Sequence, residues 1–338
     1  MGPNRRCRIG PQHPGWSLSA VADPVTCSSP SGARAAAIEF RLATTWGAGG
    51  PAGDVARHPL LGMLQINVYT DLFFASGISG AAAGLGYAGL LVQTPLGILS
   101  NMLLVPLLPV FARLTAPEQR DELISRIRQG VMLSNASMLP LGALMIALAA
   151  PIVALIYERG SFDAAAARLV VGILMAYGLG MPAYLARDVL VRVFYALGDG
   201  QTPFRISMAG IGLNVIFDWL LVGGPTPSGL VLPALNSGAP GLVLATVVVN
   251  LVSCMVLLLA LQQRLGRLPL ISWGRDTLLL GVAALVAALA AWGLANGIKW
   301  HGDLLGLMLQ VGLCGAVGAA LYGLIASALG VAEARQLG

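Results

Sequence analysis

The chain has 338 residues, 57% of them apolar and only 10% charged, with a mean hydropathy of +0.79 and a formal net charge of +5. A soluble domain carries about a quarter charged residues, so this composition excludes a water-solvated globule and makes lipid the solvent for most of the chain. The positive balance gives no reason to expect a nucleic-acid partner, because the basic residues are spread through short loops and are not massed with aromatics on one face.

Residues 1–56 are rich in Pro, Gly, Ser and Arg and have no apolar run. They read as a disordered or non-native segment, from a misplaced start codon or a truncation junction, and lack the apolar core of a signal peptide. From Pro59 the apolar runs are long and regular. A span of about 20 residues crosses a hydrocarbon core of about 30 Å, and the runs predict helices at 59–78, 84–112, 130–157, 168–186, 204–222, 241–262, 276–298 and 303–328. The expected fold is an all-α polytopic membrane protein of about eight transmembrane helices. Between the second and third spans, Leu123, Ile124 and Ile127 share one face of residues 115–128 and charges take the other, which predicts an amphipathic helix lying flat on the membrane surface. The stretch Arg187–Tyr195 reads either as a second such element or as the charged end of the fourth span.

The loops sort by charge. One set holds Arg113, Arg120, Arg126, Arg128, Arg187, Arg192, Arg205, Arg264, Arg267 and Arg275; the opposite set holds only Arg159, Arg168 and Lys299. By the positive-inside rule both ends of the helical block are cytoplasmic, as an even number of spans requires.

Few polar groups interrupt the spans: Gln65, Asn67 and Asp71, then Gln93 and Asn101, Asn135, Asn214 and Asp218, and Thr246 and Asn250. A charge at membrane depth costs about 2.5–3.5 kcal/mol on insertion scales, so it normally faces a cavity or a partner. Asn214 and Asp218 are four residues apart and share a helix face, and Thr246 and Asn250 repeat the spacing. With Asp71 they offer hard oxygens suited to a small cation, or a carboxylate pair sharing a proton. The reading is a coupling site for Na⁺ or H⁺ at Asp71, Asn214, Asp218 and Thr246; the alternative is cross-helix hydrogen bonding that only holds the bundle together. Cys7, Cys27, Cys254 and Cys314 are scattered, and His13, His58 and His301 fall outside the apolar runs. No disulfide framework, zinc site or Ser-His-Asp arrangement can be assembled in the membrane part, so no enzyme activity and no organic cofactor are expected. Gly84-Leu-Gly-Tyr-Ala-Gly89 matches GxGxxG, but no strand precedes it and the match is read as chance.

Two stretches resemble the MurJ/MviN family of lipid II flippases. Tyr87-Ala-Gly-Leu-Leu-Val-Gln-Thr-Pro-Leu-Gly97, with Leu-Leu-Pro-Val-Phe at 107–111, is similar to the family's Tyr-Ala helix and its Leu-Pro ending; Phe194-Tyr-Ala-Leu-Gly-Asp-Gly-Gln-Thr-Pro203 is similar to its Phe-Tyr-Ala-x-x-Asp-x-x-Thr-Pro loop. Glu158-Arg-Gly-Ser-Phe-Asp163 resembles the short external loop between them. The resemblance runs from about 59 to 330 and implies the C-terminal part of a fourteen-span transporter of the bacterial inner membrane. It implies transport of lipid-linked peptidoglycan precursor by alternating access, membrane lipids as partners, and a first lobe that this chain lacks and that could be separately encoded. The implied division is a six-span lobe at 57–266 and a terminal helix pair and tail at 267–338. Asn67, Gln93, Arg187 and Arg192 are the expected cavity residues. Where many relatives carry an Asp-Arg pair and a Glu, this chain has Gly89, Leu90 and Gln93, which removes a charged contact to the cargo. The alternatives are another exporter of polysaccharides or drugs from the same superfamily, or an inactive membrane fragment or scaffold.

Overall fold

The computed structural model describes residues 68–158, 162–223, 235, 237–266, 268–298 and 304–329. The expectations for 1–56, and for Gln65 and Asn67 at the start of the first predicted span, lie outside these residues. Among the described residues every regular element is a helix: α1 (residues 68–75), α2 (Ala81–Arg113), a single 3₁₀ turn (Pro117–Gln119), α3 (Arg120–Ala147), α4 (Ala149–Tyr157), α5 (Ala164–Ala196), α6 (Gln201–Val222), α7 (Ala239–Leu265), α8 (Leu270–Gly297) and α9 (Leu304–Ala328). Seven of them (α2, α3, α5, α6, α7, α8 and α9) are long and apolar enough to cross a membrane. With α1 as the described part of the first predicted span, the architecture is the expected polytopic helical bundle.

Two boundaries differ from the sequence reading. The amphipathic stretch is not a separate surface helix: after the 3₁₀ turn, α3 runs unbroken from Arg120 into the bundle, and Leu123 and Ile127 are buried in the protein core. Their apolar face packs on neighbouring helices, which satisfies it as well as lipid would. The third span is instead interrupted at Leu148, between α3 and α4. Pro151 explains the break, since it has no N–H for the carbonyl of Ala147 and its ring crowds that carbonyl. The Arg187–Tyr195 stretch resolves as the end of α5.

Helix α5 is the centre of the bundle. Its 33 residues span about 50 Å, and it packs along α2, α3 and α7, burying Ile173, Leu174, Met181, Leu185, Val189, Leu190 and Phe194. Glycine sets its distance from α3: a Cβ on Gly142 would stand 2.2 Å from the Gly178 carbonyl oxygen, so only glycine permits this crossing. Asp163 caps the N-terminal end of α5, its Oδ1 accepting from the Ala166 backbone N–H at 2.7 Å. Helices α5 and α6 each pack along α7 yet scarcely touch each other. Helices α8 and α9 pack together and lean on α3 and α4 through a small-residue seam, Ala283, Ala284, Ala287 and Ala291, with Gly318 of α9 fitted against Leu144 and Ala291.

Candidate functional site

The structure brings three of the sequence-predicted residues together. Asn214 and Asp218 sit one turn apart on α6, both fully buried, and the Asn214 Nδ2 group donates to Asp218 Oδ2 at 2.9 Å and to Asp71 Oδ1 of α1 at 3.0 Å. One amide thus uses both its N–H donors on two carboxylates from different helices. Asn214 Oδ1 and Asp218 Oδ1 are buried without a hydrogen-bond partner. Two carboxylates on one amide repel each other unless a cation or a proton lies between them, and the two unpaired oxygens beside them have lone pairs of the kind that binds such a guest. The donor set of two acids and an amide oxygen therefore fits a small hard cation. Among the described residues no group of three or more His, Cys, Asp or Glu side chains gathers.

Thr246 and Asn250 lie on α7 and bond to their own helix. The Thr246 hydroxyl donates to the Leu242 carbonyl at 3.3 Å, and Asn250 Nδ2 donates to the Thr246 carbonyl at 2.8 Å. Of the expected cavity residues, Gln93 is exposed on α2. Arg187 is held between helices, its Nη2 donating to Ser207 Oγ of α6 at 2.8 Å, while Arg192 Nη1 reaches only the Asp188 carbonyl at 3.4 Å. Asn67 is outside the described residues.

Three further features have contacts that the sequence did not show. In the Asp-x-x-Thr-Pro loop, Asp199 Oδ1 accepts from the backbone N–H groups of Gln201 and Thr202, its Oδ2 accepts from the Thr202 hydroxyl at 2.5 Å, and Arg264 at the end of α7 pairs with the same carboxylate at 2.6 Å. The carboxylate caps α6 and ties its start to α7. Its pKa lies below the ordinary value of 3.8, chiefly through the Thr202 hydroxyl bond, with the backbone bonds and the Arg264 charge adding to it. Second, Arg128 of α3 pairs with Asp276 of α8 at 2.8 Å, beside an Asn135 Nδ2 to Thr277 Oγ1 bond of 3.1 Å, and the Tyr322 hydroxyl of α9 donates to the Ala136 carbonyl at 2.9 Å. This polar joint docks α8 and α9 on α3. Third, Tyr87, Tyr157 and Phe162 cluster with ring centroids 5.0–5.9 Å apart, and the Tyr157 hydroxyl donates to the Tyr87 carbonyl. Tyr87 and Phe162 fall in stretches that the sequence marked by resemblance, and these two side chains are in contact.

Comparison with known proteins bears on the family and the fold. Residues 60–309 match the family described as lipid II flippase MurJ. A probable lipid II flippase MurJ of a Synechocystis species is 52% identical over 241 residues, covering 71% of this chain and 42% of that protein. One from Rhizobium meliloti is 30% identical over 281 residues, covering 81% and 49%. The chain thus spans less than half the length of these two relatives. A solved structure titled lipid II flippase MurJ, inward closed conformation, superposes with a TM-score of 0.58 at 19% identity over 79% of this chain and 51% of that one, a likeness of fold. With about three quarters of its length matched to a single family, this chain belongs to the lipid II flippase MurJ family.

Proposed function

We propose that this chain is the second-lobe part of a lipid II flippase, working in the bacterial inner membrane to carry lipid-linked peptidoglycan precursor across by alternating access, coupled to Na⁺ or H⁺ at Asp71, Asn214 and Asp218. The observation that carries the coupling is the single buried amide shared by two carboxylates from α1 and α6, an arrangement costly in lipid unless a positive guest accompanies it. Thr246 is the candidate fourth ligand, on the helix that both α5 and α6 pack against. The residues 57–266 form the transporting lobe in this reading, and 267–338 the terminal pair, whose described contacts are made to α3 and α4.

The face of α2 supports a second lobe as partner. Tyr87, Leu90, Gln93, Ile98, Asn101, Met102 and Val105 are exposed along it; lipid would cover the apolar members, but the polar side chains favour a cavity shared with another lobe. Orientation with both ends of the block cytoplasmic is supported by Arg113, Arg120, Arg126, Arg205, Arg264 and Arg275, which gather at the helix ends that alternate to one side.

The test is complementation of bacterial cells depleted of their own lipid II flippase. Growth is expected when the chain is co-expressed with the first half of the Synechocystis relative, and is expected to fail with the Asp218→Asn chain at equal membrane abundance. No growth with the unchanged pair, both halves being inserted, would sink the reading.

A further inference from the structure

Five buried side-chain nitrogen or oxygen atoms among the described residues have no hydrogen-bond partner, and four of them lie on α5 and α6, the two helices that scarcely touch. Asn214 Oδ1 and Asp218 Oδ1 belong to the acid cluster; Tyr184 Oη and Arg187 Nε lie on α5. Buried polar atoms are paired as a rule, so a file of unpaired ones along one seam marks a place built for water or an ion.

Helix geometry orders this file. The Arg187 to Ser207 bond fixes the register of α5 against α6. Asn214 lies two turns, about 10 Å, beyond Ser207 on the same face of α6. On α5, Tyr184 lies about one turn from Arg187 in the same outward direction, and Tyr177 two turns farther. Helical side chains lean toward the N-terminus of their helix, which for α5 is the outer end. The Tyr184 ring does so: it lies over Gly180 on the side that faces α7, where a Cβ would stand 2.4 Å from Val247 Cγ2 and 3.0 Å from the Tyr184 hydroxyl. Tyr177 and Tyr184 are both within electrostatic range of Asp71. Helix α7 backs the seam with Thr246, Asn250 and Ser253 on one face, and Ser253 Oγ is 3.6 Å from where a Gly210 Cβ on α6 would be. At the inner end Arg187 also lies near Asp188 on its own helix and Cys254 on α7.

We propose that this α5–α6 seam is the route by which the coupled cation moves between the acid cluster and the inner face of the membrane, with the Tyr184 hydroxyl as its intermediate ligand and the Arg187–Ser207 link as a positively charged closure at the inner end. The proposal rests on the cation-site reading above. A hydroxyl midway replaces part of the hydration shell that the ion sheds on leaving the acids, and a fixed guanidinium at the mouth repels it until the link to Ser207 opens.

The test uses the full chain in lipid nanodiscs and radiolabelled Na⁺, with equilibrium binding and dissociation into unlabelled NaCl both measured. The unchanged chain must bind Na⁺ in a way that Asp218→Asn abolishes; if it does not, the sodium form of the cation site fails and the route falls with it. Given that binding, Tyr184→Phe, which keeps the ring, is expected to slow dissociation on the order of tenfold, the worth of one hydrogen bond to a charge, with Kd changed less than about twofold. Arg187→Gln and, more gently, Ser207→Ala are expected to speed it. Dissociation at the unchanged rate in all three variants overturns the route, and so does a weakened Kd in Tyr184→Phe, which would make the hydroxyl part of the resting site.

Discussion

Two polar clusters lie inside this apolar bundle, and they are built on opposite principles. At the joint between α3 and α8, each polar group meets a complementary one: Arg128 with Asp276, Asn135 with Thr277. In the cluster of α1 and α6, like meets like, two carboxylates converge on one amide, and two oxygens are left without a partner. The first pattern is that of cross-helix hydrogen bonding, which in membrane bundles contributes about 0.6 kcal/mol per bond on average. The second leaves like charges facing each other and two oxygens unpaired, which is why it carries the coupling proposal and the first does not. Polar residues within one bundle therefore differ in meaning according to whether their partners complete them.

Breaking the acid cluster should give the largest effect, and on binding, not on stability. Replacing both Asp71 and Asp218 by Asn removes the charges that attract a cation; Na⁺ affinity of the full chain is expected to fall on the order of 100-fold or more, while the thermal midpoint in detergent is unchanged or rises because the like-charge repulsion is gone. A large drop in the midpoint, with Na⁺ affinity untouched, would place this cluster in the same class as the joint.

The joint should behave in reverse. Arg128→Ala leaves Asp276 half-buried and unpaired and is expected to cost about 1–3 kcal/mol of stability, read by a lower thermal midpoint, with Na⁺ binding retained. Asp276→Ala added to it should recover part of that loss, since the orphaned charge is then removed as well. If the double variant is as unstable as the sum of the singles, the pair is not coupled and the joint is held by its alanine seam alone. A smaller effect, about 0.6 kcal/mol, is expected for Thr277→Val, which keeps the shape and removes one cross-helix bond.

Much of this contrast was legible in the sequence and part of it was not. The spans were readable because lipid enforces long apolar runs, and Asn214 and Asp218 were readable because i and i+4 share a helix face. Asp71 joined them only as another acid in an apolar run, since nothing in a sequence shows which helices meet. The Arg128–Asp276 pair was hidden for the same reason: 148 residues separate its members, and each looked like an ordinary charge near a membrane surface. The amphipathic stretch 115–128 was misread because an apolar face has the same pattern whether lipid or protein covers it. Tyr184 left almost no signal, since a tyrosine in an apolar span is usual; only the lack of a partner for its hydroxyl sets it apart.

The Asp199 clamp separates a third kind of polar group, one that is fully partnered yet lies outside the spans. Because its folded-state pKa is lowered, its contribution is fully present above the unfolded value near 3.8 and is lost as pH falls through the lower folded value. Asp199→Ala is therefore expected to lower stability by about 1 kcal/mol near neutral pH, the usual loss on removing a helix cap, and the gap to the unchanged chain should shrink when both are unfolded below about pH 4. Arg264→Ala removes only the ion pair, whose guanidinium is about half exposed, so a loss of a few tenths of a kcal/mol is expected. If Arg264→Ala costs as much as Asp199→Ala, the clamp acts as a salt bridge between α6 and α7; if it costs much less, the carboxylate works by starting α6, and the Thr-Pro that follows Gly200 and Gln201 in this loop is there to receive that cap.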